Sequence, residues 1–116
     1  MNTKSIPTAN INREAAAALV AAALAAAREI GIEIAVAVTD ATGTLRAFER
    51  ADGAPFLTAS VAEDKAWTSA SFGFPTHVWN DYVTNDPKVA PLAHLPRMVA
   101  VHELFSRCCS LESHVC

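Results

Sequence analysis

The chain has 116 residues, 52% of them hydrophobic and 18% charged, with a net charge of −3. That length predicts one domain with a modest core, and that composition excludes an intrinsically disordered chain. Acidic and basic residues are dispersed without a basic stripe, so nucleic acid is excluded as a partner.

Residues 1–11 are polar, carry Pro7 and show no period, and they predict a flexible or edge-lying lead-in. Asn12 then offers a side-chain oxygen to the orphan amides of a first helix, with Glu14 at its positive end. Leu19, Val20, Leu24 and Ile30 form one stripe with Ala16, Ala23 and Ala27. The other faces are alanine, smooth enough to pack on a sheet or on a second subunit. The apolar run Ala15–Ala27 is thirteen residues, short of the ~20 that cross a bilayer. A secretory leader is the rival reading. Glu14 at the edge of the run, and a helix that continues through Arg28-Glu29 to Gly31, favour a cytoplasmic protein with no membrane contact.

Ile34–Val38 alternates bulky and small apolar side chains, extended backwards by Ile32, and predicts a strand covered on both faces. Asp40-Ala41-Thr42-Gly43 predicts a four-residue turn, since Asp bonds nearby amides and Gly supplies φ > 0. Leu45, Ala47 and Phe48, interleaved with Arg46, Glu49 and Arg50, predict a half-exposed antiparallel partner. After Ala51–Pro55 the period becomes helical. Val61, Ala62, Ala66, Ser69, Ala70 and Phe72 mark one face, and Gly73 ends the helix. Thr76 is placed to cap a short helix from His77 to about Val83, which Asn85-Asp86-Pro87 breaks. Pro91 and Pro96 keep the next segment irregular, and Arg97–Val101 predicts the start of a third strand. A hairpin followed by helices makes the fold class α+β, an antiparallel sheet flanked by helices.

Several spaced motifs then agree in order: the alanine-rich first helix, V-T-D-A-x-G at 38–43, E-R-A-D-G-A at 49–54 and D-K-A-W-T-S-A at 64–70. With them the chain resembles the GlcG/HbpS-like family, related to the C-terminal domain of PduO-type proteins, over residues 12–101. The resemblance implies a homo-oligomer and a haem- or small-ligand-binding accessory protein of a catabolic pathway, with haem as the cofactor to test. Relatives continue past Val101 with a glycine-rich turn and further strands. Here residues 102–116 read as an atypical tail, the pattern of a frameshift or early stop, with strands missing from the sheet and its edges open.

The charges within these motifs are the candidate ligand-binding residues: Asp40, Arg50, Asp52 and Lys65, with Thr68 and His77 beside them. Arg50, Asp52 and Lys65 are the expected pocket lining, where Arg or Lys would hold a propionate or other carboxylate. The competing reading makes Asp40 and Asp52 turn-formers, with Arg50 and Lys65 solvated or paired. His77 and His94 rank above His102 and His114 as axial donors, and no pair has metal-site spacing. Cys108, Cys109 and Cys116 lack a C-x-x-C knuckle and read as reduced thiols, with no metal site expected. Thr68, Ser69 and Ser71 have no nucleophile elbow around them. Trp67 and Trp79 offer ring faces for a flat ligand or for packing. Two alternatives to the binding protein stand. One is a catabolic enzyme for a carboxylated or aromatic substrate, using Asp40 or Asp52 with a raised pKa as acid or base. The other is a truncated remnant without function.

Overall fold

The computed structural model describes residues 4–98, in the order α1 (Arg13–Glu29), β1 (Ala35–Thr39), β2 (Leu45–Arg50), α2 (Thr58–Phe72) and α3 (Thr76–Asn85), followed by a 3-10 turn at Ala90–His94. The architecture is α+β, as the pattern predicts. β1 and β2 form an antiparallel hairpin from Ala35↔Arg50 to Thr39↔Leu45, with a register shift between Val38 and Thr39. Helices cover both faces. Val36 and Val38 pack with Ala16 and Val20 of α1, while Ala37 packs with Ala62 and Ala66 of α2. Alternation along β1 dictates this split, since successive side chains point to opposite sides. Four of its five residues are buried, and β2 is at most half-buried.

Local chemistry sets the boundaries. Asn12 Oδ1 accepts the Ala15 amide at 2.8 Å and starts α1. Gly73 ends α2 at φ 72°, its amide bonded to the Ser69 carbonyl. Asp40 Oδ1 accepts from the Thr42 amide (2.9 Å), the Thr42 hydroxyl (2.6 Å) and the Thr44 amide (3.1 Å), which shapes the hairpin connection. The lead-in is tied to this turn, because Asn10 Oδ1 accepts the Ala41 amide at 3.0 Å.

Five expectations change. Ile32 lies outside the strand, which begins at Ala35, although the Ala51 amide still reaches the Ile34 carbonyl at 2.9 Å. The connection between strands runs Asp40–Thr44, one residue longer than the four expected, with Asp40 N donating to Thr44 O at 2.9 Å. Ile30 leaves the apolar stripe, being the C-cap of α1 and 72% exposed. Thr76 does not cap α3: Pro75 holds that position in an extended conformation, and Thr76 is the first helical residue, buried with an unpartnered hydroxyl. Arg97 is not in a strand but in a turn at φ 66°, and Val99–Val101 lie outside the described residues. The tail, with His102, His114 and the three cysteines, also lies outside them. No helix among the described residues is long and apolar enough to cross a membrane.

Two glycines separate backbone preference from crowding. At Gly73 (φ 72°) an added Cβ meets open space, whereas at Gly43 (φ 82°) it would lie 2.7 Å from Trp67 Cδ1. Urea unfolding of Gly73→Ala is expected to show a loss of ~1 kcal/mol, the cost of a left-handed alanine. Gly43→Ala is expected to lose more, by roughly 1–3 kcal/mol of overpacking. Asn12→Ala is expected to cost ~1 kcal/mol in the same assay.

Candidate functional site

The hairpin's length decides which candidate residues can meet. From Leu45 to Arg50 are five steps of strand, roughly 17 Å, so the Asp40 turn and the Arg50 end lie at opposite ends. At the Arg50 end a groove of about 390 Å³ opens between the C-terminal turn of α1 and the strand ends. Leu24, Ala27, Ile32 and Ile34 form its apolar wall, and Arg28, Arg50, Glu33, Glu49 and Asp52 supply charge. Arg50 also donates from Nη1 to the Ala54 carbonyl, and Glu33 accepts the Gly53 amide at 3.2 Å, so the Ala51–Pro55 loop is held from two sides. The structure thus brings Arg50 and Asp52 into one groove.

Lys65 does not join them. It is 5% exposed on α2, on the other face of the hairpin, and is engaged rather than solvated. Thr68, fully buried one turn along, donates its hydroxyl to the Arg97 carbonyl at 2.6 Å. Arg97 is held twice more by the same helix: its Nε donates to Asp64 Oδ1 at 3.0 Å, and its guanidinium lies 4.8 Å from the Trp67 ring centroid. These contacts offset the ~1–2 kcal/mol that a left-handed non-glycine residue costs. Trp67 in turn packs under Gly43 of the hairpin connection. Asp40 therefore belongs with α2 and Arg97, not with Arg50.

The electrostatics of Asp40 follow from its turn. The Thr42 hydroxyl bond, chiefly, holds its carboxyl below the ordinary 3.8, helped by the Thr42 and Thr44 amides and by Arg46. An acid or base needing a raised pKa is not found there; the turn-forming role describes Asp40. His77 stands elsewhere again, in the first turn of α3, with Nδ1 buried and without a partner. Next to it Trp79 is buried and stacked on Phe72, centroids 4.4 Å apart. His94 is exposed at the end of the 3-10 turn. Ser71 donates to the Trp67 carbonyl at 2.9 Å, and Ser69 is buried with an unpartnered hydroxyl. No group of three or more His, Cys, Asp or Glu side chains is placed to hold a metal ion among the described residues.

Sequence reasoning missed Arg28 and Glu33 of the groove, and Arg97. Arg28 reads as an ordinary helix-end cation, and only its fourfold offset from Leu24 hinted that it shares a side with an apolar residue. Arg97 carried no signal, because what it touches lies 29 to 33 residues away.

The model of the family described as haem degrading protein HbpS-like matches residues 11–103. The crystal structure of a double mutant of Streptomyces reticuli HbpS superposes with a TM-score of 0.77 at 26% identity, over 87% of this chain and 67% of that one. Another HbpS structure gives 0.77 at 28% identity, over 87% and 70%. Klebsiella pneumoniae protein ORFY, of the DUF336 family model, gives 0.76 at 24% identity over 88% and 72%, a likeness of fold alone. No curated protein matches the chain.

The turn carboxylate gives a pH prediction. With its folded pKa lowered, Asp40 contributes stability above its unfolded value near 3.8, and this is lost as pH falls through the folded value. Urea midpoints from pH 7 to 2 are expected to fall less steeply for Asp40→Asn than for the wild type below about pH 4. Equal slopes would remove the turn carboxylate from the acid response.

Proposed function

The chain belongs to the HbpS-like haem-degrading protein family, and on that premise we propose that it is a haem- or small-ligand-binding accessory protein of a catabolic pathway. It would work as a homo-oligomer, as the family resemblance implies, and in the cytoplasm, the reading that reduced thiols and the first helix favour. The observation that carries the reading is the groove at the Arg50 end, where Arg28 and Arg50 flank an apolar wall of Leu24, Ile32 and Ile34. The groove is concave and carries more polar than apolar lining, which suits a charged ligand, and guanidinium is the side chain suited to bidentate carboxylate recognition. Asp52, at the rim, favours a ligand that also carries a donor.

Haem fits this groove in part. The apolar wall suits one edge of the macrocycle, and the two arginines suit its propionates. No histidine among the described residues lines the groove, so those residues would hold the periphery of the group and supply no imidazole donor. His77 keeps its place as the alternative contact point, on α3.

Titrating haemin into the purified protein, with the Soret band followed to saturation, tests the reading. A saturable endpoint is expected, weakened roughly tenfold or more in Arg50→Ala, from loss of a charge-assisted bond. His77→Ala is expected to leave the endpoint unchanged. Loss of binding in His77→Ala but not in Arg50→Ala would move the site to α3. Non-saturating absorbance changes would reject haem, and a panel of small carboxylates read by the same groove variants would then test the ligand class.

A further inference from the structure

Two opposite charges line the groove beside α1 without closing on each other. Arg28 sits in the last turn of α1, four residues after Leu24 and so on the same side of the helix. Glu49 lies on β2 opposite Val36, and residues paired across strands share a face of the sheet. Val36 packs on α1, as do Ile34 and Leu24, so Glu49 stands on the α1 side as well. Both charged residues are exposed and both line the groove, together with Leu24, Ala27 and Ile34. Among the described residues neither side chain takes part in a hydrogen bond or an ion pair.

The other charges of the groove are partly committed to its own loop. Arg50 donates to the Ala54 carbonyl, and Glu33 accepts the Gly53 amide at 3.2 Å. Taken whole, the lining sets two guanidiniums against three carboxylates, those of Glu33, Glu49 and Asp52. A ligand that brings only negative charge meets the arginines but sets like charge against Glu49, which costs affinity.

We infer that the groove takes an amino carboxylate. Arg28 bonds the ligand's carboxylate, Glu49 accepts from its ammonium group, and Leu24 with Ile34 receives its hydrocarbon body. Both polar contacts are charge-assisted, and the arginine fork matches a carboxylate. Glu49 thereby becomes the residue that discriminates, because a simple carboxylic acid leaves it without a partner. The inference rests on the groove being the ligand site and names the class of ligand it holds.

Isothermal titration calorimetry at pH 7 and low salt, with four small probes, tests it. Leucine and 6-aminohexanoate carry both charges, hexanoate only the carboxylate and hexylammonium only the cation. At least one of the first two is expected to bind ~10-fold or more tighter than either single-charge probe. Glu49→Gln is expected to erase that preference and leave hexanoate unchanged, whereas Arg28→Gln weakens both. Glu49→Lys is expected to shift the preference to hexanedioate. Both positions are exposed, and circular dichroism confirms that the variants keep their fold. Hexanoate binding as tightly as the amino carboxylates, or a preference that survives Glu49→Gln, would overturn the inference and leave the groove a plain carboxylate site. Saturable haemin binding with no affinity for either amino carboxylate would overturn it too. Absence of all binding, haemin included, would remove the groove itself and the inference with it.

Discussion

Burial of β1 from both sides is the constraint on which the rest of this structure depends. A two-stranded hairpin alone is marginal in water, and this one is held because α1 closes on Val36 and Val38 while α2 closes on Ala37. The valines each contribute about 1.5–3 kcal/mol of apolar burial, and the alanine lets the second helix approach closely. Every other element takes its position from that sandwich. α1 ends beside the start of β1, so its last turn meets the end of β2 and encloses the groove. α2 lies across the opposite face, where its polar residues meet the Arg97 turn instead of the groove.

The consequence for function is a division of the charged motif residues into two neighbourhoods. One, at the open end of the hairpin, has Arg28, Arg50 and Asp52 around an apolar wall. The other, at the connection end, has Asp40 spent on its turn, Trp67 under Gly43, and Thr68 bonded to the Arg97 carbonyl. Motifs adjacent in sequence, such as D-A-T-G and E-R-A-D-G-A, are thus separated by the length of a strand. A ligand spanning both would have to run along the sheet, which the helices cover.

Elements whose signal is local were readable from the sequence. Asn12, Gly73 and the alternation from Ile34 to Val38 each act within a few residues, and each acts as its chemistry requires. Thr76 misled because its residue type suits an N-cap, while the proline before it fixes the extended conformation that the cap position needs. Lys65 misled differently. Its helical spacing places it one turn from the buried Ala62 and Ser69, yet charge argues for solvent, and packing decided against charge. The pocket was half legible: Arg50 and Asp52 lie two residues apart where β2 runs into its loop, but Arg28 and Glu33 reach it only through the closure of α1 on the hairpin. Arg97 was beyond reach, since its turn geometry is fixed by Asp64, Trp67 and Thr68 on a distant helix.

Hydrogen exchange read by mass spectrometry, with and without saturating haemin, addresses the central claim most directly, because it locates the ligand without a mutation. The account predicts added protection in the segments covering 24–34 and 49–54, around the groove, and unchanged exchange in 76–82. Protection confined to the first turns of α3, with the groove segments unaffected, would contradict it.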